Sequence, residues 1–174
     1  MRRALSLTIF CATAIALVPA ASASAITSFN GQCDVSGTSA FAPALAVAPL
    51  ERGYDFSGTG ACTGTLDGTA VDGAAVTATV SGSGTLSCLG SSSSGGAGVL
   101  TFTELGKSLG FRLDLGGAGS EVALHVRGNN GGDGVGRASF LAGAGPETAS
   151  ACAGAGVSAL DFSASLRSLT VLKG

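Results

Sequence analysis

The stretch from Ser57 to Leu66 alternates strictly between two kinds of residue. One set consists of three glycines, Cys62 and Leu66, and the other of serine, alanine and threonines. A period of two indicates a β-strand with one buried and one exposed face. Because glycine stands where a core side chain normally lies, we expect another layer to approach this strand closely. The stretch therefore predicts inward Cys62 and exposed Thr59, Thr63 and Thr65.

Period-two alternation recurs along the chain, whereas helix signals are nearly absent. The pattern predicts an all-β fold, a single antiparallel domain of about eight to ten strands. Consecutive hairpins favour a meander β-barrel, with a two-sheet β-sandwich as the alternative. The predicted strands lie near residues 27–35, 54–66, 76–81, 83–88, 100–102, 111–115, 122–126, 135–141 and 160–171.

Loops and turns are predicted from proline, glycine, serine and aspartate. Pro43 and Pro49 exclude a central strand from Ser39 to Leu50, which we interpret as an edge segment or a loop. Ser91–Gly96 is predicted to be a flexible loop because only serine and glycine occur there. The other predicted turns and loops are Asp67-Gly68, Asp72-Gly73, Gly106–Gly110, Gly116–Ser120, Asn129–Gly134 and Gly143–Gly156.

Three strands in the second half of the chain allow the register to be predicted. A slip of one residue would bury polar side chains, so apolar residues must face apolar residues. This places Phe102 opposite Leu113, and Leu113 opposite Leu124. On the other face it places Thr103, Arg112 and His125 in one row, with Asp114 and Ala123 beside them.

The N-terminus has the features of a secretory signal peptide over residues 1–25. Arg2 and Arg3 precede an apolar run from Leu5 to Val18, and small residues up to Ala25 provide overlapping cleavage sites. The run is too short for a membrane span, which needs about 20 residues. The expected product is a single secreted, extracellular domain over residues 26–174, without a membrane span.

The charge balance disfavours two classes of partner. Of the nine Lys and Arg residues two lie in the leader, so seven remain against 11 acidic residues, a net charge of −4. Nucleic acids and anionic membrane surfaces require clustered positive charge, which this sequence lacks. We therefore expect no nucleic-acid partner, and a small ligand or a cell-envelope component is the partner left open.

Four cysteines remain after the leader: Cys33, Cys62, Cys88 and Cys152. An even number in an exported chain indicates two disulfides, for which three connectivities are possible. We favour Cys33–Cys62 with Cys88–Cys152, because the first pair lies in two early strands that can be neighbours. The spacings differ from those of zinc sites, and the chain has a single histidine, so no metal and no cofactor are expected.

His125 is the one candidate for a general base. With Arg112, Arg127, Asp114 and Glu121 it would lie on one strand face, which is more simply interpreted as a solvated surface of mixed charge. The hypothesis of a small secreted hydrolase rests on this histidine alone. We expect no catalytic residues in this chain, and hence no enzyme.

Other motif matches have simpler explanations. Gly106–Gly110 matches the GxSxG nucleophile motif but falls in a predicted hairpin, without the required strand–turn–helix context. Gly131–Gly136 resembles a calcium-binding nonapeptide repeat, yet it occurs once. Thr-x-Thr pairs recur at irregular intervals, unlike the arrays of ice-binding proteins. With no tryptophan and Tyr54 as the single tyrosine, stacking platforms for carbohydrate are also scarce.

The cysteines have characteristic surroundings, namely Cys62-Thr63-Gly64-Thr65-Leu66, Ser83–Cys88 and Ala151–Gly156. Together with the Ala-rich leader and the lysine-poor, glycine-rich composition, they resemble small secreted actinobacterial proteins of unknown function. The likeness spans most of the chain after the leader, and the cysteine framework is its specific part. That family carries no established activity, so the resemblance implies no functional residues.

These observations predict a secreted, non-enzymatic β domain. It would act as a binding module or as a structural module of the cell surface or extracellular space. A ligand-carrying β-barrel is one form of this hypothesis, and the hydrolase that uses His125 is the alternative. A concave apolar pocket at either end of the sheet would distinguish them.

Overall fold

The computed structural model describes residues 26–118, 121–140, 146–168 and 172–174. The predicted leader, residues 1–25, lies outside these ranges. Nine strands and one short helix account for most of the described residues. In chain order they are β1 (Ser28–Leu45), β2 (Leu50–Leu66), β3 (Thr69–Ser87), β4 (Gly90–Phe102), β5 (Lys107–Ala118), β6 (Glu121–Gly128), β7 (Asp133–Phe140), α1 (Pro146–Ala153), β8 (Val157–Ser168) and β9 (Leu172–Lys173).

The sheet is an antiparallel meander that closes on itself. From β1 to β8 each strand pairs with the next, and β8 pairs with β1, for example through Leu166 opposite Cys33. The short strand β9 pairs with the start of β1, beside Phe29. The prediction of an all-β antiparallel meander is confirmed, and it takes the form of an eight-stranded closed ring.

Strand β1 corrects one prediction. Ser39 to Ala42 pair with β2, and Ser39 and Ala40 also pair with β8, so this part of the expected loop is a central strand. Residues 46–49 form the connection to β2. Pro43 lies just beyond the last pair with β2 and inside the irregularity between Ala40 and Leu45 in the ladder with β8. The strand tolerates the missing N–H because Pro43 falls where the ladder is interrupted.

Irregularities in β3 and β4 correct two more predictions. Asp67-Gly68 is the expected tight turn, with positive φ at both residues. Asp72-Gly73, in contrast, is a bulge inside β3, which continues to Ser87 through a second irregularity after Ser81. The expected flexible loop Ser91–Gly96 belongs to β4, because β3 and β5 pair with Ser91, Ser92 and Ser93 on both sides and β5 pairs with Gly96, which leaves a bulge at residues 94–95.

The register from β4 to β6 differs from the prediction. Phe102 lies opposite Lys107, because the hairpin turn is at residues 103–106 and not at Gly106–Gly110. Leu113 lies opposite Val126, two residues from the predicted partner Leu124. Both shifts are even numbers of residues, so the predicted inward side chains still point inward.

The helix α1 was not predicted, since its residues fall in the expected loop Gly143–Gly156. Pro146 occupies its first position, where the missing N–H costs nothing. The helix ends at glycines: Gly156 has positive φ and donates its N–H to the Ala151 carbonyl at 2.7 Å. These glycines make the helix short.

The two ends of the ring differ. The packed end contains the turns at 67–68, 103–106 and 129–132, and Phe29 and Phe102 meet there with ring centroids 5.4 Å apart. The hollow end contains the connections at 46–49 and 88–89 and the helix α1. The most deeply buried large side chains lie towards the packed end: Phe29, Phe102, Leu109, Leu172, Val76, Cys33 and Cys62.

Candidate functional site

A cavity of about 470 Å³ lies inside the ring. Inward side chains of most ring strands line it, and most of them are aliphatic or aromatic. It reaches from Leu109 and Leu172, near the packed end, to Leu89 and Thr148 at the hollow end. Its size falls within the range of about 300–1,000 Å³ that ligand sites occupy.

The space exists because aromatic rings lie against the inner surface of the ring, over glycines. A Cβ added at Gly58 would lie 2.7 Å from Cζ of Phe56, and one at Gly82 would lie 2.7 Å from Cζ of Tyr54. Phe111 covers Gly98 in the same way: a Cβ there would lie 2.5 Å from Cε2 of Phe111 and closer still to its Cζ. The glycines thus let large side chains lie flat, which leaves the centre of the hollow half open.

The cavity has an apolar mouth at the hollow end. Val47 and Leu89 line the cavity and are also exposed, by 47% and 65% respectively. Their two connections are joined by a hydrogen bond of 3.0 Å from the Cys88 N–H to the Ala46 carbonyl. We call Val47, Leu89 and the α1 residue Thr148, which also lines the cavity, the mouth.

Tyr54 is one of the few polar groups of the cavity surface. Its hydroxyl lies 3.3 Å from Oγ of Ser93, which in turn donates to the Ser83 carbonyl at 2.5 Å. Burial raises the pKa of the Tyr54 phenol; the hydrogen bond with Ser93 lowers it and the charge of Asp114 raises it further. The phenol is therefore held neutral and satisfied within the described residues.

Ser91 behaves differently from Ser93. It lines the cavity from the start of β4, opposite Leu86 and Gly117. Its Oγ is shielded from solvent and has no hydrogen-bond partner among the described residues. Buried hydroxyls in native proteins are nearly always hydrogen-bonded, so this one calls for an explanation.

Arg52 is buried near the cavity but does not line it. It is 4% exposed, its Nε donates to the Leu86 carbonyl at 3.1 Å, and its Nη1 donates to the carbonyls of Pro43 (3.2 Å) and Ala44. The guanidinium thus joins the ends of β1 and β3 to β2. Sequence reasoning missed this role, since an isolated arginine carries no pattern.

The cysteines lie at disulfide distance in the two pairs that the sequence favours. Cys33 and Cys62 are directly opposite in β1 and β2, with Cα atoms 4.1 Å apart. Cys88 and Cys152 join the β3–β4 connection to α1 at the mouth, with Cα atoms 6.3 Å apart. The inward position of Cys62 is confirmed, as are the exposed positions of Thr59, Thr63 and Thr65.

His125 lies on the outside of the ring, away from the cavity. Its partner across the strand is Asp114, and Nδ1 of His125 is 3.9 Å from Oδ2 of that carboxylate. The Gly95 N–H (2.8 Å), and then Arg127 (2.6 Å) and His125, hold the pKa of Asp114 below its usual value. Within the described ranges the imidazole makes no hydrogen bond to a serine or threonine.

The rest of the predicted charged row does not assemble around His125. Arg112 lies opposite Arg127, and Glu121 pairs at 3.9 Å with Arg137, both of them exposed. Thr103 belongs to the turn after β4 and hydrogen-bonds to the Ala75 carbonyl. The expected row of Thr103, Arg112 and His125 is therefore wrong, because the register of these strands differs.

The other motif matches are part of the strands. Ser108 of the GxSxG match lies within β5, with its Oγ 3.1 Å from Oγ1 of Thr101, so the nucleophile context is missing. Thr59, Thr77 and Thr101 lie side by side across three strands. They form a single row on a ring, because Thr79 in the next row lies opposite Val99.

Three further findings bear on possible functions. In the part of the chain that the structure describes, no group of three or more His, Cys, Asp or Glu residues could hold a metal ion. No helix in that part is long and apolar enough to cross a membrane. Comparisons with protein-family models, with curated proteins and with solved structures give no match.

Proposed function

We propose that this chain is a secreted, non-enzymatic binding protein that holds one small apolar molecule inside its ring. The observation that carries the proposal is the apolar cavity of about 470 Å³, open at an apolar mouth. Eight-stranded closed sheets are just wide enough either to be filled by side chains or to hold one small ligand. Secretion is supported by the leader-like residues 1–25 and by the two cysteine pairs.

The cavity suits a ligand more than it suits water. Its volume corresponds to about fifteen groups the size of a water molecule. Water in a cavity needs two to four polar partners, and an apolar interior offers few of them. Each buried methylene group of a ligand would contribute roughly 0.8 kcal/mol. An apolar ligand of about fifteen heavy atoms matches these conditions.

A catalytic version of the proposal has less support. His125 lies on the outside of the ring, so the inner cavity and the imidazole cannot act on the same bound molecule. The carboxylate beside it is already hydrogen-bonded to Gly95 and Arg127. The binding function is accordingly the one that we propose.

The test is titration of the purified protein with N-phenylnaphthylamine, an uncharged dye that fluoresces in apolar surroundings. We expect saturable binding of one dye per chain. Ala78→Phe, which fills the cavity, should weaken binding at least about tenfold. Ala75→Phe places the same side chain on the outer face of β3 and should leave binding unchanged. Weak, non-saturable binding to the wild type, or equal effects of the two substitutions, would refute the proposal.

A further inference from the structure

We infer that the ligand is an uncharged amphiphile whose single oxygen-containing group is held by Ser91 near the mouth, with its apolar tail directed towards the packed end. The inference rests on the proposed function and specifies its ligand class. Three observations carry it: the unpartnered hydroxyl of Ser91, the distribution of charge around the cavity, and the position of the mouth.

The first observation is the unpartnered hydroxyl. Ser91 Oγ is buried and lacks a hydrogen bond among the described residues, whereas the nearby Ser93 and Tyr54 hydroxyls are satisfied. Leaving a buried hydroxyl unpaired is unfavourable, and a ligand that supplies a partner regains that free energy. A hydroxyl donates and accepts, so a ligand carbonyl, ester or alcohol oxygen can pair with it.

The second observation concerns charge. Among the described residues that line the cavity there is no Asp, Glu, Lys, Arg or His. The nearest buried cation, Arg52, lies outside the cavity surface and donates to three backbone carbonyls. A ligand carboxylate inside the cavity would therefore be an unpaired buried charge, which is strongly unfavourable. This selects an ester or an alcohol over a free acid.

The third observation gives the orientation. Ser91 is the second residue of β4 and lies beside the connection that carries the mouth residue Leu89. Beyond it the cavity continues past Leu100 to Leu109, where the surface is apolar. A molecule with one polar end thus fits with that end near the mouth and with its chain towards the packed end.

The experiment measures displacement of bound N-phenylnaphthylamine by a matched set of compounds at neutral pH. Methyl dodecanoate and dodecanoate share their chain and carbonyl and differ in charge, and dodecanol carries a hydroxyl. We expect methyl dodecanoate and dodecanol to displace the dye, and dodecanoate to bind at least about tenfold more weakly than its ester. If dodecanoate binds as tightly as the ester, the uncharged class is wrong, while the proposed binding function stands.

A matched pair of variants tests the role of Ser91. Ser91→Ala should weaken dodecanol binding about fivefold, because one hydrogen bond is lost without a change of shape. Ser92→Ala removes a hydroxyl from the exposed face of the same strand and should leave dodecanol binding unchanged. Unchanged dodecanol binding in Ser91→Ala would overturn the assignment of Ser91. Failure of every compound and of the dye would instead reject the proposed function.

Discussion

Both ends of the ring are built from strands that alternate inward and outward residues, yet side chains fill the interior at one end and a cavity remains at the other. At the packed end Phe29 and Phe102 point towards each other and fill the interior, and β9 adds Leu172. At the hollow end Phe56 and Tyr54 lie over Gly58 and Gly82 against the inner surface. Rings lie over glycine and pair with each other at both ends: a Cβ at Gly31 would lie 2.9 Å from Cζ of Phe29, and Phe56 meets Phe162 with centroids 5.0 Å apart. The packed end is distinguished by the extra strand β9, which adds a buried leucine to its two phenylalanines.

The same comparison explains why the chain needs so much glycine. Between β1 and β2, Gly37 lies opposite Gly58, and Gly31 lies opposite Gly64. A Cβ at any of these positions would collide with the backbone of the partner strand. Glycine therefore has two uses in this ring: it lets two strands approach closely, and it makes room for rings that lie flat.

The largest difference between the ends is expected from phenylalanine truncation. Phe102→Ala should lower the free energy of unfolding by about 4–5 kcal/mol, since this ring is fully buried. Phe56→Ala should cost about 1–2 kcal/mol, because Phe56 already borders empty space. Guanidinium denaturation of the oxidised protein measures both values. Equal losses would mean that the two ends are packed alike.

Removal of either cysteine pair should lower the stability of the fold, but only removal of Cys88–Cys152 should change the rate of ligand dissociation. On loop-closure grounds, replacing either pair by serine should cost about 3–4 kcal/mol, for sequence separations of 29 and 64 residues. Loss of Cys88–Cys152 should also speed dye dissociation, because α1 at the mouth is then no longer tied to the β3–β4 connection. Stopped-flow displacement measures this rate, and Cys33→Ser/Cys62→Ser serves as the control. Thiol titration of the protein without its predicted leader, residues 26–174, should find no free cysteine. Equal dissociation rates in the two double variants would contradict the prediction.

Glycine-to-alanine substitutions test how closely β1 and β2 approach each other. Gly60→Ala should destabilise the protein by about 2–3 kcal/mol, because the new Cβ would meet the Asp34 carbonyl and lie 2.8 Å from Cα of Val35. Gly116→Ala, nearer the hollow end, has its closest neighbour at 4.0 Å and should stabilise by about 0.5 kcal/mol. Thermal unfolding distinguishes the two; a tolerated Gly60→Ala would show that β1 and β2 can separate.

The smallest effect is expected at alkaline pH. The folded state holds the phenol proton of Tyr54 more tightly than the unfolded state, whose pKa is near the ordinary 10.0. The free energy of unfolding is therefore unaffected below pH 10.0 and falls as the pH rises through the folded-state pKa. Tyr54 is the single tyrosine, so ultraviolet absorbance of tyrosinate reports it directly.

In this titration the native midpoint should lie above that in guanidinium, and Tyr54→Phe should remove the alkaline loss of stability. A saturating dye concentration should raise the native midpoint further, because the phenol lines the cavity. Identical midpoints in the native and unfolded protein would place the phenol in solvent.

The sequence predicted much of the strand architecture, because side-chain parity survives errors in register. Leu113 points inward whether it faces Leu124 or Val126, and Cys62 points inward with its strand. The positions of the irregularities within the strands were not predicted correctly. Three segments are typical of loops, namely Pro43, Asp72-Gly73 and Ser91–Gly96, yet neighbouring strands pair with residues in or beside each of them. What is left is an irregularity at Pro43, at Asp72-Gly73 and at residues 94–95.

The candidate site could not be predicted from local patterns. Tyr54 covers Gly82 because the register of β2 and β3 places these two residues opposite each other. That register depends on the bulge at Asp72-Gly73, which the sequence pattern did not predict. The hydroxyl of Ser91 stands out only when its strand is in place, since its neighbours in sequence are also serines. One local signal was available: proline followed by glutamate at 146–147 is a common helix start.

Closure of the ring also has a consequence for the order of folding. Strand β1 is joined to β8 by contacts between residues more than 120 positions apart, such as Thr38 with Asp161 and Asp34 with Ser165. Such distant pairings form slowly, because most of the chain must be ordered before they can be made. Until then the outer edges of β1 and β8 are open to any other strand, including those of a second copy. Dilution should therefore raise the refolding yield of this chain.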